Sequence, residues 1–395
     1  IKGIETNDFA KVVREDQKIK GLLYCGTELG FYVSFNDGDN WQKLQLNLPV
    51  VPITDLAIQD NDLIAATAGR AFWILDDLSP IQQAGSLDKN SKTRIFKPKN
   101  TVKLDAPAVP EPIPGIGQNP STGVTIDYFL PENMDSSKVV IEITDLSGKK
   151  IRTLDNQKDK AFLKYEGGPA EKQVIPSKKG LNRTYWDLRK ESTVGISKVF
   201  VNGDYRGSLV APNTFKIKLM TGKDTSWTEV VVLPDPRLKA KAADFEAQEK
   251  FLSQIESNVA EIHQSVINMR KVKAQLESYM TLLKEKKEST EILEQGKEIL
   301  KKINDWENNV ISSKQETFQD VINFPNRLNA EFLDLKSRAD SHNPALTLGT
   351  KTRLDDLQNE WKKQKDSLDK IIKEEIERFN DLYKQKALPA LIIEK

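Results

Sequence analysis

Apolar positions in the first 80 residues come in short runs closed by glycine, asparagine, aspartate or proline: Leu22 to Gly26, Phe31 to Phe35, Trp41 to Leu46, Ile53 to Ile58, Leu63 to Thr67 and Phe72 to Leu75. Runs of that length with that punctuation predict β-strands. A second set occurs at Val124 to Leu130, Val139 to Asp145, Ile151 to Leu154, Arg183 to Leu188, Asn213 to Thr221 and Thr228 to Leu233. Within it, Ser147-Gly148-Lys149-Lys150 reads as a hairpin turn. Between the sets, the stretch from Asp105 to Gly123 holds Pro107, Pro110, Pro112, Pro114, Gly115, Gly117 and Pro120, a composition that resists both helix and central strand. After Pro234-Asp235-Pro236 the period changes. Leu252, Ile255, Val259, Ile262, Val266, Met269, Leu276, Met280 and Leu283 step by threes, fours and their sums, which is a heptad seam.

The seam resumes at Leu293, Leu300, Ile303 and Val310, at Leu328, Phe332 and Leu335, and at Leu354, Leu357, Trp361, Leu368, Ile371, Phe379 and Leu382. Lys287-Glu288-Ser289-Thr290, Pro325, and Asn343-Pro344 with Gly349 divide it, and Ser289 or Thr290 suits a helix N-cap. The pattern predicts an antiparallel helical hairpin or bundle, whose first helix, about 45 residues long, would extend roughly 65–70 Å. A segment from about Arg237 to the C-terminus is expected to fold alone. The five to seven strands of the middle region predict an Ig-like or fibronectin type III-like β-sandwich with Trp186 in its core, and the glycine-rich stretch 196–210 reads as a mobile loop.

One turn carries more information than its neighbours. Ser34-Phe35-Asn36-Asp37-Gly38-Asp39-Asn40-Trp41 has a hydroxyl and an amide placed to bond nearby backbone N–H groups, a glycine for a left-handed dihedral, and an aromatic to fold back beneath the strands. That is an Asp-box turn, and it marks a β-propeller blade. Together with Gly21-Leu22-Leu23-Tyr24-Cys25-Gly26-Thr27-Glu28-Leu29-Gly30-Phe31-Tyr32-Val33-Ser34 and Asp62 to Asp77, it resembles the last blades of the large bacterial BNR-repeat, sortilin-like propeller proteins. Leu181 to Arg189 and Phe324 to Asn329 are similar to segments C-terminal to the propeller in that family. Asn36 stands where the family usually has Asp, and Ala68-Gly69-Arg70 where it has His-Gly-Arg. The resemblance implies a periplasmic, outer-membrane-associated or secreted bacterial protein. Members are often labelled glycosyl hydrolases on account of the box, with no established reaction. Six strands amount to about one and a half blades, too few to close a ring of roughly 4–8. With neither an initiator Met nor a signal peptide, the chain reads as the C-terminal portion of a longer protein whose upstream sequence supplies the other blades.

The expected domains are therefore 1–80 as last blades, 81–123 as linker and sandwich entry, 124–235 as sandwich and 236–395 as helical bundle. Charge changes the picture by exclusion. Fifty-nine Lys and Arg against 58 Asp and Glu leave a net charge of +1, which gives no global field for nucleic acid or an anionic membrane. No apolar run approaches the roughly 18–20 residues of a membrane helix. The single Cys25 excludes an internal disulfide and reads as a small core residue.

Candidate chemistry is sparse. Asp76 and Asp77 offer two carboxyls, but neighbours on a strand point to opposite faces, whereas a glycosidase pair flanks its sugar about 5–10 Å apart. The plainer expectation is a strand-ending turn with one carboxylate paired to Arg70. Glu28 and Arg70, each in a loop after a strand, would line one mouth of a propeller or form inter-blade ion pairs. His263 and His342 are distant in sequence, and His263 reads as a helix-surface residue. Asp37 and Asp39 make an oxygen-rich loop without the EF-hand spacing, and no phosphate loop, nucleophile elbow or zinc spacing occurs. No cofactor or metal is expected. The function expected is a binding or scaffold role toward a protein or glycan partner, the alternative being a glycan- or peptide-acting hydrolase with its active site mainly in the upstream blades.

Overall fold

A computed structural model describes residues 1–87, 90–104, 121–222, 224–284 and 290–386. Among the described residues it shows a mixed β and α chain with four sheets and five helices of nine or more residues. The chain divides into two compact units, and their boundaries do not follow sequence order. Unit 1 comprises residues 1–157, 174–187 and 213–233; unit 2 comprises 158–173, 188–212 and 234–395.

Unit 1 begins with a four-stranded antiparallel meander, β1 (Ala10–Glu15), β2 (Leu23–Thr27), β3 (Phe31–Ser34) and β4 (Gln42–Lys43). A three-stranded meander comes next, β5 (Ile53–Gln59), β6 (Asp62–Thr67) and β7 (Phe72–Leu75). Their inward residues, among them Leu22, Tyr24, Phe31, Ile53, Leu56 and Leu63, share one core. Strand β1 has no counterpart in the sequence expectation. Only Val12 of AKVVRE is buried, so the strand lacks the alternation by which strands are recognised. Arg14 fixes it instead, its Nε donating to the Leu56 carbonyl at 2.9 Å and a terminal nitrogen to Asp55 Oδ1 at 2.7 Å.

A short helix, α1 (Ser79–Ala84), leads to β8 (Arg94–Ile95) and β9 (Thr101–Lys103). Then come β10 (Val124–Leu130), β11 (Val139–Asp145), β12 (Lys150–Asp155), β13 (Gly180–Trp186), β14 (Asn213–Thr221) and β15 (Asp224–Pro234). They form sheets of order β13-β10-β8 and β12-β11-β14-β15-β9. Alternation along β10 buries Val124, Ile126, Tyr128 and Leu130, and Trp186 of β13 meets Phe215 of β14 edge-on at 5.1 Å between ring centres. The proline-rich stretch lies, from 105 through 120, outside the described residues.

In unit 2 the seam forms a single 42-residue helix, α2 (Ala242–Leu283), about 63 Å long at 1.5 Å per residue. Its first turn is closed by Asp244, which accepts the Lys241 amide at 2.8 Å. Helices α3 (Thr290–Val310), α4 (Leu328–Ala339) and α5 (Leu348–Lys370) come after it; a π-helical turn, Ile371–Ile376, leads from α5 into α6 (Glu377–Gln385). Ser289, the other expected cap, lies outside the described residues. Gly349, expected as a breaker, sits inside the first turn of α5, which is capped by Thr347 Oγ1 accepting the Thr350 amide at 3.1 Å.

The segment 196–210 is not a mobile loop. Ile196, Val199, Val201 and Tyr205 are buried in the same core as the helices, touching a seam that includes Ile255, Val259, Ile262 and Val266. Glycine serves close approach here: a Cβ on Gly207 would lie 2.3 Å from the Lys190 carbonyl oxygen. His263 is likewise not on the surface, with 1% exposure. The inserted segment gives α2 a second covered flank, so the position after Ile262 is enclosed as well as the seam itself.

Candidate functional site

The 34–41 turn is built by its own side chains. Ser34 Oγ accepts the Gly38 amide at 2.9 Å and donates to Asn36 Oδ1 at 3.0 Å, and Asn36 Oδ1 also accepts the Asn40 amide at 3.0 Å. Asp37 and Gly38 hold φ of 57° and 88°, the left-handed pair a tight reversal requires. Trp41 folds back against Cys25 and Tyr32. The bonds of Ser34 and Asn36 therefore go to the turn itself. Cys25 is fully buried, and burial followed by the Asp8 charge pushes its thiol up to about 11.

A different part of unit 1 forms a cleft of about 800 Å³, walled by the β5–β6 turn, α1 and residues 97–100. Asp60 and Asn61 hold φ of 50° and 72°, as a two-residue hairpin turn demands. The Asn61 side chain is then fully engaged: Nδ2 donates to Asp77 Oδ1 at 3.1 Å and Ser79 Oγ at 3.0 Å, while Oδ1 accepts Gln82 Nε2 at 2.8 Å. Gln82 Nε2 also reaches Asp16 Oδ2 at 2.9 Å. Burial works against ionisation of Asp16, but Gln82, the Lys18 amide, Tyr24 and the Ile19 amide outweigh it and hold the carboxyl below its ordinary value. Gln83 exchanges two bonds with the Lys97 backbone, at 2.8 and 3.1 Å. These bonds fix the walls. Gln59, Lys18, Lys97, Lys99 and Asn100 line the same cleft and are solvent-exposed.

The four residues expected as candidate catalytic groups occupy separate places. Glu28 takes the Lys11 ammonium at 2.5 Å, and its amide donates to the Phe9 carbonyl at 3.1 Å. Arg70 is exposed between Gly69 and Ala71, with φ of 86° and 56°, and its carbonyl accepts Trp73 Nε1 at 3.0 Å. Asp77, two residues beyond β7, holds φ of 60°, its carboxylate accepting Asn61 and the Ser79 amide and its own amide donating to Asp62 Oδ1 at 2.8 Å. Asp76 is largely exposed; partial burial, then the Asp62 charge, raise its carboxyl above the ordinary value against Arg183 and Lys99. Among the described residues none of the four is hydrogen-bonded or ion-paired to another. The expected pairing of Arg70 with a neighbouring aspartate is not formed, because the two left-handed residues flanking Arg70 turn the loop into solvent. Arg183 instead grips Asp127, at 2.8 and 3.2 Å, while burial keeps the Asp127 carboxyl raised.

Unit 2 holds a buried polar cluster that the sequence pattern does not announce. His263 Nδ1 lies 2.7 Å from the Val194 carbonyl, which only accepts, so Nδ1 carries the proton and Nε2 is left to accept from Asn329 Nδ2 at 3.4 Å. Desolvation, opposed by the Val194 bond, lowers its pKa. Lys336, 1% exposed, donates to the Arg206 carbonyl. Asp340 takes Arg189 at 2.6 Å and the Leu209 amide at 2.9 Å, and Glu256 takes the Ser208 amide at 2.5 Å. Apart from the His263–Asn329 contact, which joins α2 to α4, each bond ties segment 188–212 to a helix or, at Asp340, to its C-cap. Among the described residues no set of three or more His, Cys, Asp or Glu could hold a metal ion, and no helix is long and apolar enough to cross a membrane.

No protein-family profile and no curated protein matches the chain. Two solved structures from B. thetaiotaomicron are similar over part of it. One is the extracellular domain of a protein assigned to the one component systems, 11% identical, covering 59% of this chain with a TM-score of 0.16. The other, assigned to the hybrid two component systems, is 9% identical over 58% of this chain with a TM-score of 0.15. The chain spans 26% of the length of each.

Proposed function

We propose that this chain is an extracytoplasmic binding or scaffold protein that engages a protein or glycan partner through unit 1. In this reading β1–β7 are the last blades of a propeller with an Asp box at 34–41, residues 124–235 are an Ig-like sandwich, and 236–395 a helical bundle that acts as spacer or docking surface. The upstream portion of the same protein completes the propeller. One observation carries the proposal: the cleft of about 800 Å³, with walls locked by Asn61, Gln82 and Gln83 and with exposed amide and ammonium groups at its rim. Fixed walls with free polar tips suit recognition, because little ordering is left to oppose binding. The hydrolase reading keeps one observation of its own, the raised carboxyl of Asp76 beside Asp62.

The test is binding of the full chain to arrayed oligosaccharides and peptides, repeated with Gln59→Ala combined with Asn100→Ala. The ligands retained should be lost in the double variant while its melting temperature stays the same. Retention unchanged in that variant would remove the cleft from the proposal.

A further inference from the structure

We infer that the unit 1 cleft is selective for an acidic oligosaccharide, a chain of sugars bearing carboxylate or sulfate groups; this rests on the binding reading just given. The chain as a whole is charge-balanced, 59 cationic against 58 anionic residues, so a local excess is informative. In the cleft lining Lys18, Lys97 and Lys99 face a single carboxylate, Asp60. Asp62 offsets part of Lys99, at 3.9 Å, whereas Lys18 and Lys97 have no ion-pair partner among the described residues. Two further carboxylates stand behind this lining and keep their charge, but both are turned to donors of the wall: Asp16 to Gln82, Tyr24 and two backbone amides, and Asp77 to Asn61 and the Ser79 amide.

The remaining lining narrows the class. Gln59 and Asn100, exposed in the lining, place amide donors and acceptors beside the ammonium groups, the complement of hydroxyls interspersed with anions. An acidic peptide fits less well. Protein-binding surfaces rely on apolar and aromatic anchors, and here the apolar lining is Ile58 and Pro98, with no aromatic. Strand addition needs an open sheet edge. Here the end of β5, Ile58 and Gln59, lines the cleft beside a hairpin turn, a helix and an irregular segment, and the Ile58 carbonyl already accepts Gln17 Nε2 at 3.1 Å. An open, polar, positively biased groove suits an extended polyanion whose sugar hydroxyls meet the amides.

The experiment is calorimetric titration of the full chain with hexagalacturonate, a chondroitin sulfate hexasaccharide, cellohexaose and a hexaglutamate peptide, at low and physiological salt. At least one of the two acidic saccharides should bind about tenfold or more tightly than cellohexaose, and binding should weaken as salt shortens the screening length toward about 8 Å. Lys18→Gln with Lys97→Gln and Lys99→Gln should reduce that binding about tenfold or more with an unchanged melting temperature. The carboxylated and sulfated probes distinguish the two anion types. Equal binding of cellohexaose would overturn the acidic class and leave the glycan cleft standing. Binding of hexaglutamate in place of both saccharides would overturn it in favour of a peptide. Binding unaffected by the triple variant would place the ligand elsewhere, and no binding by any of the four would overturn the inference, the cleft reading then standing or falling with its own array.

Discussion

At the level of single residues the structure separates side chains that hold the chain from those left free to act. Trp41 is buried beneath the 34–41 turn at 9% exposure, so Trp41→Ala should lower stability by about 3–5 kcal/mol. Gly38→Ala should cost less, about 1 kcal/mol: a Cβ there would stand 3.6 Å from Leu23 Cδ1, an ordinary contact, and the penalty comes from φ of 88° alone. Thermal melts of the two variants, ranked in that order, check both. Cys25 should stay unmodified by thiol reagents in the native chain and react only with denaturant, since burial has moved its thiol to about 11; mass spectrometry decides it. Asp76→Asn addresses the hydrolase alternative, with loss of at least about tenfold in any saccharide or peptide turnover expected if that carboxyl is a general acid, and no loss if it is a turn residue. The turn was legible in the sequence because its bonds join residues 34, 36, 38 and 40. The cleft was not, because residues 17–18, 58–61, 79–83 and 97–100 meet only after two sheets and a helix have formed.

Among the elements, legibility tracked how much of the burial was local. Helix α2 could be read from Val259, Ile262, Val266 and Met269 because each faces one side and recurs at helical spacing. His263 could not, since what buries it is the carbonyl of Val194, some 69 positions away. That contact makes a pH prediction. The neutral ring donates from Nδ1 and accepts at Nε2, and protonation turns Nε2 into a donor facing the Asn329 amide nitrogen. With the folded pKa depressed below 6.5, the unfolded chain binds the proton first. The stability this residue contributes is therefore fully present above pH 6.5 and is lost as pH falls from there through the lower folded value. Denaturant midpoints measured between pH 7.5 and 5 should decline more steeply in the native chain than in His263→Gln. Parallel declines would show that His263 does not titrate on unfolding.

On the scale of the whole molecule, the seam suggested that residues from about 237 onward form a helical unit by themselves, yet the core of unit 2 is shared with segments that interrupt the strands of unit 1. Ile196, Val199, Val201 and Tyr205 lie among the helical side chains. At about 1.5–3 kcal/mol for each large side chain withdrawn from water, their burial contributes roughly 6–12 kcal/mol, as much as a typical domain's entire margin of about 5–15 kcal/mol. Removing the segment would also strip charged groups of their partners: Lys336 would lose the Arg206 carbonyl, Asp340 would lose Arg189 and the Leu209 amide, and Glu256 would lose the Ser208 amide. Residues 234–395 expressed alone should therefore keep helical far-ultraviolet dichroism, because the seam remains, while losing the near-ultraviolet signal of Trp306 and Trp361 and the cooperative melt that fixed packing gives. Adding back 158–212 in the same chain should restore both. A sharp melt of 234–395 at the temperature of the full chain would show that the inserted segments are passengers on a core the helices complete unaided.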